Sequence, residues 1–459
     1  ELSSDAEFLR RATLDLTGRL PGPEQVARFL AAPPSPAKRE ALIASLLASE
    51  DFTDYWTMLF GDWLLVRGAR GSEGAARIYH DWVRAQIAAH RPLDALVRDL
   101  ILAEGDITKN GPANFYTLAS DPRDLAEHAA GMFLGVQIAC ARCHAHPADR
   151  WTQDDYHAFA AFFARVTRQG EAIRVSGRGE VEHPKTSKPL PPRPLGAAPL
   201  AVDDGEDRRA ALAGWLAAAD NSLFARNLAN RIWRHLMGRG LVEPVDDLRP
   251  TNPASIPPLL EELAVQFAAH GYDLRWLVAE IANSRAYQLA SRANDANRRD
   301  DRMFARALLK PLPAQVFVDA VAQATGVADH FENAGPGIRA VQLAGAATPS
   351  YALDVLGRCS RERACSSFAS SGGGLAQALH LINGSTINGK LGGGALDELL
   401  ASGAPAAGII ESLYLRTLSR PPESDELAAW EPVLQGGGRR AAEALLWALL
   451  NSREFAFNH

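Results

Sequence analysis

Residues Cys140-Ala141-Arg142-Cys143-His144 set two thiols three positions apart and put an imidazole directly after the second. Each thiol can form a thioether with a vinyl group of a porphyrin, and the adjacent histidine can ligate its iron, so C-x-x-C-H reads as the attachment signature of a c-type haem. With 4 Cys and 12 His among 459 residues, random placement would produce the pattern in about one such chain in a thousand, so accident explains it poorly. Three other readings use the same atoms: a reversible dithiol, a zinc site completed by His144 and His146, and a structural disulfide on a tight helical turn. A redox dithiol usually accompanies a βαβ pattern, which is not found here, and four zinc ligands in one short segment would crowd a tetrahedron. The expected cofactor is one covalent haem c, anchored by Cys140 and Cys143 with His144 as proximal iron ligand.

The residues flanking the motif extend this reading. His128, Met132, Val136 and Cys140 recur at four-residue spacing, which predicts a helix running into the motif with that face against the haem or the core beside it. A residue on the helix that supplies His144 cannot easily cross to the far side of the macrocycle, so a sixth ligand has to come from elsewhere. Candidates are His80, His157, His183, His235, His380, His459, Met58, Met237 and Met303; the foremost are His380, His459 and His235. An iron with all six positions filled transfers electrons, whereas an open one binds small molecules or does chemistry. His146 and Asp149, in the turn after His144, are the candidate catalytic residues. The plain role of His146 is a hydrogen bond to backbone or a propionate, and its chemical role is proton transfer beside the iron. Trp151 leads into a further helix with Asp154 and Asp155 near its positive end. Replacing Cys140 and Cys143 by Ala is expected to leave a colourless, poorly folded chain, because a cofactor filling a core cannot be lost without a cavity.

The elements that must carry these residues are helices. Phe8, Leu9, Ala12 and Leu16, then Leu42, Ile43, Leu46 and Leu47, and later Leu259, Leu260, Leu263 and Phe267 follow helical spacing. The fold class expected is mainly α, with two helical domains joined by a Pro/Gly-rich linker holding at most a short β-hairpin. The divisions are a haem domain at 1–167, a linker at 168–207 and a companion domain at 208–459. Within the linker, Ile173-Arg174-Val175 and Val181-Glu182-His183 could pair. Glycine runs at Gly372-Gly373-Gly374 and Gly392-Gly393-Gly394 bracket His380. A repeat joins the two ends: Arg19-Leu20-Pro21-Gly22-Pro23-Glu24 and Ser49-Glu50-Asp51-Phe52 are echoed by Arg420-Pro421-Pro422-Glu423 and Ser452-Arg453-Glu454-Phe455, with a partial copy at Ser284-Arg285-Ala286-Tyr287. Either a common unit or a recurring way of stopping a helix explains it.

A net charge of −6 and a pI near 6.1, without a Lys/Arg run, disfavour a nucleic-acid partner. No stretch approaches the roughly 20 uncharged apolar residues of a membrane span. Haem attachment of this kind happens outside the bacterial cytoplasm, so the motif implies a periplasmic or otherwise exported protein and a leader or anchor that once preceded Glu1. Cys359 and Cys365 suit an oxidising compartment if they pair; two buried thiols are the alternative.

Phe8-Leu9-Arg10-Arg11, Leu14 to Pro21, Phe133-Leu134-Gly135-Val136 and the long run from Cys140 to Val166 together resemble the planctomycete-type cytochrome c domain. Ala229 to Trp233, Gly238 to Val242, Gln377 to Gly384 and Phe455 to His459 resemble its companion domain of unknown function. The resemblance implies haem and export but no established substrate. Relatives often carry a C-x-C pair where this chain has Cys365-Ser366-Ser367. Three function classes follow: a mono-haem c-type cytochrome acting as or within an oxidoreductase; an electron-transfer or docking subunit with six-coordinate haem and a redox partner protein; and a non-haem binding module whose CxxC is a disulfide. A small-molecule substrate belongs to the first alone.

Overall fold

The computed structural model describes residues 1–67, 73–200, 206–218, 221–345, 348–362 and 374–459. Helices dominate, as the spacing of apolar residues requires, and the only sheets among the described residues are small and antiparallel. No helix in that set is long and apolar enough to cross a membrane. Two compact units form, and they do not follow the order of the chain: one comprises 1–59, 281–360 and 365–459, the other 60–280 and 361–364.

The unit centred on 60–280 carries the CxxCH motif. Phe115, Phe133, Phe159, Phe162 and Phe163 are fully buried in its core. The Ser222–Met237 helix buries Phe224, Leu228, Ile232 and Leu236, spaced four residues apart, with Trp233 beside them, and stops at Gly238, whose φ of 81° favours a residue without Cβ. A hairpin does form near the expected place, but with another partner. Ala172–Val175 pairs with Val166–Gln169 in the register Val166↔Val175, and Gly105–Asp106 adds to the other edge. The two-residue connection contains Gly170 at φ 63°, a conformation that closes tight hairpins, and this local turn outcompetes the longer return from 181–183. Glu182 instead bridges Pro189. Much of 168–200 is packed in this unit: Val181 and Leu195 are buried, and the Arg193 amide donates to the Ala158 carbonyl at 3.1 Å.

In the other unit the Asp5–Thr17 helix is buried along nearly its whole length. Its two arginines find acceptors in main-chain carbonyls: Arg10 reaches Thr417 and Phe455, and Arg11 reaches Leu289 and His459. Asp15 accepts from Lys310 Nζ at 2.5 Å, Tyr287 Oη at 2.9 Å and Asn458 Nδ2 at 2.7 Å. That network ties the first helix to the strand pair Lys310–Pro311 and Phe457–Asn458.

The sequence echo corresponds to a repeated structure. The Asp5–Thr17 and Ala406–Leu418 helices both end at a left-handed residue, Gly18 (φ 63°) and Ser419 (φ 62°), followed by Arg19 and Arg420. A second helix starts four residues after each arginine, at Pro23 and at Ser424. Downstream, Ser49 Oγ and Ser452 Oγ accept the amides of Phe52 and Phe455, both at 3.1 Å. Ser284 does the same for Tyr287 at 3.2 Å, so the partial copy shares the helix stop. Cys359 is disulfide-bonded; Cys365, Gly372 and Gly373 lie outside the described residues.

Candidate functional site

The segment entering the motif begins with the Pro122–Ala129 helix, capped by Asp121, and widens into a π turn over Ala130–Leu134. The carbonyl of Met132 receives Asn227 Nδ2 at 2.7 Å and Trp63 Nε1 at 3.2 Å, and that of Gly131 receives Arg231 Nη2 at 2.9 Å. The helix then ends at Gly135, in the left-handed region at φ 65°. A Cβ there would lie 2.9 Å from both Asn227 Oδ1 and Leu248 Cδ1, so glycine is required. The expected stripe of His128, Met132, Val136 and Cys140 on one helix is therefore broken after Met132. Val136 is buried, whereas Cys140 is exposed.

The two thiols sit not on an α-helix but on a 3₁₀ turn, Ala139–Arg142, with Cys143 as its cap. At three residues per turn, positions 140 and 143 eclipse, so the thiols emerge on one side. Both are free and exposed. The Cys140 carbonyl accepts the amides of Cys143 and His144, each at 3.4 Å. Ala141, between the thiols, is fully buried and pins the turn to the core. Arg142 clamps it from both ends. Its guanidinium meets Asp124 at 2.6 Å, Asp121 at 3.5 Å and Glu127 at 3.7 Å. Its carbonyl accepts from Gln153 Nε2 at 3.2 Å and His157 Nε2 at 3.3 Å. His144 is exposed, and its Nδ1 lies 2.8 Å from the Ala145 carbonyl. A carbonyl only accepts, so the ring proton belongs on Nδ1 and the Nε2 lone pair is left for a ligand. The contacts that hold the turn come from Ala141, Arg142, Gln153 and His157, and the two thiols are exposed.

His146 and Asp149 build the following turn. His146 Nδ1 accepts the Ala148 amide at 3.2 Å, and Asp149 Oδ1 accepts the Arg150 amide at 2.7 Å. Thr251 Oγ1 donates to the Ala148 carbonyl at 3.1 Å. Trp151 is buried beneath the Arg150 guanidinium, 4.6 Å from the ring centre. The next helix, Gln153–Ala160, opens with a capping box between Thr152 and Asp155, so Asp155 is an N-terminal partner as expected.

Spacing alone did not reveal the bracing role of His157. The ring is buried between Arg123 Nε, which donates to Nδ1 at 3.3 Å, and the Arg142 carbonyl. Burial pulls its pKa below the usual histidine range, and both nitrogens are hydrogen-bonded, so the ring braces the motif. Beside it, Tyr156 donates to Glu127 Oε1 at 2.6 Å, and His183 lies 3.4 Å from Asp154 Oδ1. The signal that could have found this brace is the long run after the motif, which keeps Gln153, Tyr156 and His157 on one helix.

The other distal candidates are scattered. His235 is buried on the Ser222–Met237 helix, in the unit that holds CxxCH. His380 and His459 belong to the other unit. His380 Nε2 pairs with Thr386 Oγ1 at 2.8 Å, and burial lowers the His459 pKa to about 4. Met58 and Met237 are buried, Met303 is exposed, and His80 pairs with Asp81 at 3.1 Å. Among the described residues, no three His, Cys, Asp or Glu side chains converge as a metal-ion cradle.

Two family models match the chain. Residues 1–168 match PSCyt2, a protein of unknown function (DUF1549), and residues 208–434 match PSD1, a protein of unknown function (DUF1553). These are planctomycete-type companion domains, and the first match is to PSCyt2, not to a cytochrome c domain. Their boundaries leave 169–207 between them, close to the division read from composition, although the compact units cut across it. No curated protein and no solved structure matches.

Proposed function

We propose that the 139–144 turn is the attachment point of one covalent haem c, with thioethers at Cys140 and Cys143 and His144 Nε2 as proximal ligand, in an exported protein that passes electrons to or from a partner. The observation that carries this reading is the state of His144. Its Nδ1 is tied to the Ala145 carbonyl at 2.8 Å, which orients the ring and leaves Nε2 pointing away from that bond, as the partners of metal-bound histidines do. Two eclipsed, accessible thiols stand beside it on a turn that Arg142, Gln153 and His157 hold rigid. The bound haem supplies one-electron chemistry at its iron. Because Cys140, Cys143 and His144 are all exposed, attachment is at the surface of its unit, which favours exchange with a redox partner protein over conversion of a small-molecule substrate in a closed cavity. The disulfide at Cys359 agrees with an oxidising, exported location.

The exposure of both free thiols also supports a second reading, a reversible dithiol. One preparation separates the two. Expressed with an export leader in a host competent for cytochrome maturation, the protein is expected to gain the mass of one haem and a reduced-haem spectrum. His144→Ala should keep the covalent haem but change its axial ligation, whereas Cys140→Ala with Cys143→Ala should be colourless. A mass equal to the bare polypeptide, with thiols that oxidise and reduce reversibly, would overturn the haem reading in favour of the second.

A further inference from the structure

Two arginines stand in the stretch from 139 to 155, and they are held in different ways. Arg142 is taken up by Asp121, Asp124 and Glu127. Arg150 meets no carboxylate within ion-pair distance among the described residues; its guanidinium instead lies over the buried Trp151, 4.6 Å from the ring centre. Asp149 is next to it in sequence, but Oδ1 of that side chain accepts the Arg150 main-chain amide at 2.7 Å. The two acids that follow are engaged elsewhere, Asp154 at 3.4 Å from His183 Nε2 and Asp155 at 2.9 Å from Arg193 Nη2. Gly196, at φ 74°, leaves the space that the guanidinium uses: a Cβ there would lie 2.8 Å from Arg150 Nη2 and 3.6 Å from Trp151 Cη2. A long, rotamer-rich cation is thus held in place without an ion pair.

The main chain ties Arg150 to the motif from both sides. The His146 amide donates to the Trp151 carbonyl at 2.8 Å and the Ala148 amide to His146 Nδ1 at 3.2 Å, so 146–151 is a closed turn that starts two residues after His144. Beyond it, Gln153 Nε2 donates at 3.2 Å to the carbonyl of Arg142, which lies between the two thiols in sequence. We infer that Arg150 binds a propionate of the haem attached at Cys140 and Cys143 and so is a positioning residue for that cofactor. The inference rests on the haem reading above. A c-type haem carries two propionates as its anionic side chains, and a guanidinium meets a carboxylate with two parallel N–H donors. Contact with the Trp151 ring satisfies none of the five N–H groups of Arg150, so they remain available to donate. Arg150 and both thiols are exposed, which lets the carboxylate reach its partner from the solvent side.

The test uses the full-length protein exported from a host competent for cytochrome maturation, as the parent and as Arg150→Gln, Arg150→Lys and Arg178→Gln, the last removing another exposed arginine of the same unit. Intact mass comes first, and all four are expected to carry one haem. Resonance Raman spectra then read the propionate bending band, whose frequency follows hydrogen bonding to the carboxylate, and redox titration reads the potential. Arg150→Gln should shift the band and lower the potential, because the lost cation no longer offsets the negative charge that reduction adds to the haem. Arg150→Lys should hold the potential close to the parent's and still shift the band, since it keeps the charge but not the fork. Arg178→Gln should move neither. A haem-bearing Arg150→Gln protein with the parent's band and potential would overturn the assignment, as would an equal effect of Arg178→Gln, which would reduce Arg150 to general surface charge. A parent with the bare polypeptide mass would instead remove the haem reading itself, so mass distinguishes the two failures.

Discussion

Exchanging Cys140 and Cys143 together for Ala should remove any covalent cofactor yet leave the fold intact, while enlarging Ala141 should leave both thiols in place and lower the stability. Both thiols are exposed and make no contact that holds the turn. Exposed substitutions of this kind usually change stability by no more than about 0.5 kcal/mol each, so the pair should cost about 1 kcal/mol at most. Ala141 is fully buried. Ala141→Leu forces three further carbons into closed space, at about 1–3 kcal/mol. In a unit of roughly 200 residues each kcal/mol moves the melting temperature by about 2–4 °C. The double Ala variant should therefore melt within about 4 °C of the parent, and Ala141→Leu several degrees below it. The comparison is made by far-UV circular dichroism on protein produced without haem maturation, so that only the side chains differ. Loss of a cooperative transition in the double Ala variant would mean that the thiols organise the core, and would refute the claim that Ala141 and Arg142 hold the turn.

Three further outcomes follow from the same geometry. His157→Leu removes the donor to the Arg142 carbonyl and should cost about 1 kcal/mol, with faster hydrogen exchange at the amides of Cys143 and His144; unchanged exchange would dismiss the brace. Burial lowers the pKa of His80, His128, His157, His380 and His459, the last to about 4. The unfolded chain then takes up protons near pH 6.5 that the folded chain refuses, so stability is full above that pH and declines as the pH falls towards 4, each group adding a slope of up to about 1.4 kcal/mol per pH unit. Urea melts at pH 7.5 and 5 test the sign. Asp15→Asn strands the buried Lys310 ammonium and should cost about 3–5 kcal/mol, with much of the loss recovered when Lys310→Met is added; equal melting temperatures for the single and double variants would show that the pair is not coupled.

How far the sequence carries the reader depends on whether a feature is local. Helical class followed from apolar residues recurring every three to four positions, because that period is a property of the chain itself. The serine stops before Phe52, Tyr287 and Phe455 are legible for the same reason, since there a side chain bonds an amide three residues away. Periodicity failed at Gly135, since the left-handed turn that breaks the stripe from His128 to Cys140 is dictated by Asn227 and Leu248, remote in the chain. The hairpin partner of 172–175 is Val166–Gln169, set by the two-residue turn at Gly170, and not 181–183, which would need a longer return.

Only the tertiary structure decided which residues brace the motif and which stand free. His157 looks in sequence like any other candidate ligand; it becomes a strut because Arg123 and the Arg142 carbonyl close on both ring nitrogens. Arg19 and Arg420 read as equivalent in a repeat, yet Arg420 is gripped by Glu426 and Glu454 together, whereas Arg19 reaches Asp51 through Nη1. Spacing along a chain determines which chemistry is available, but burial and hydrogen-bond occupancy depend on atoms brought together from distant positions, and these determine which of the available groups remain free to act.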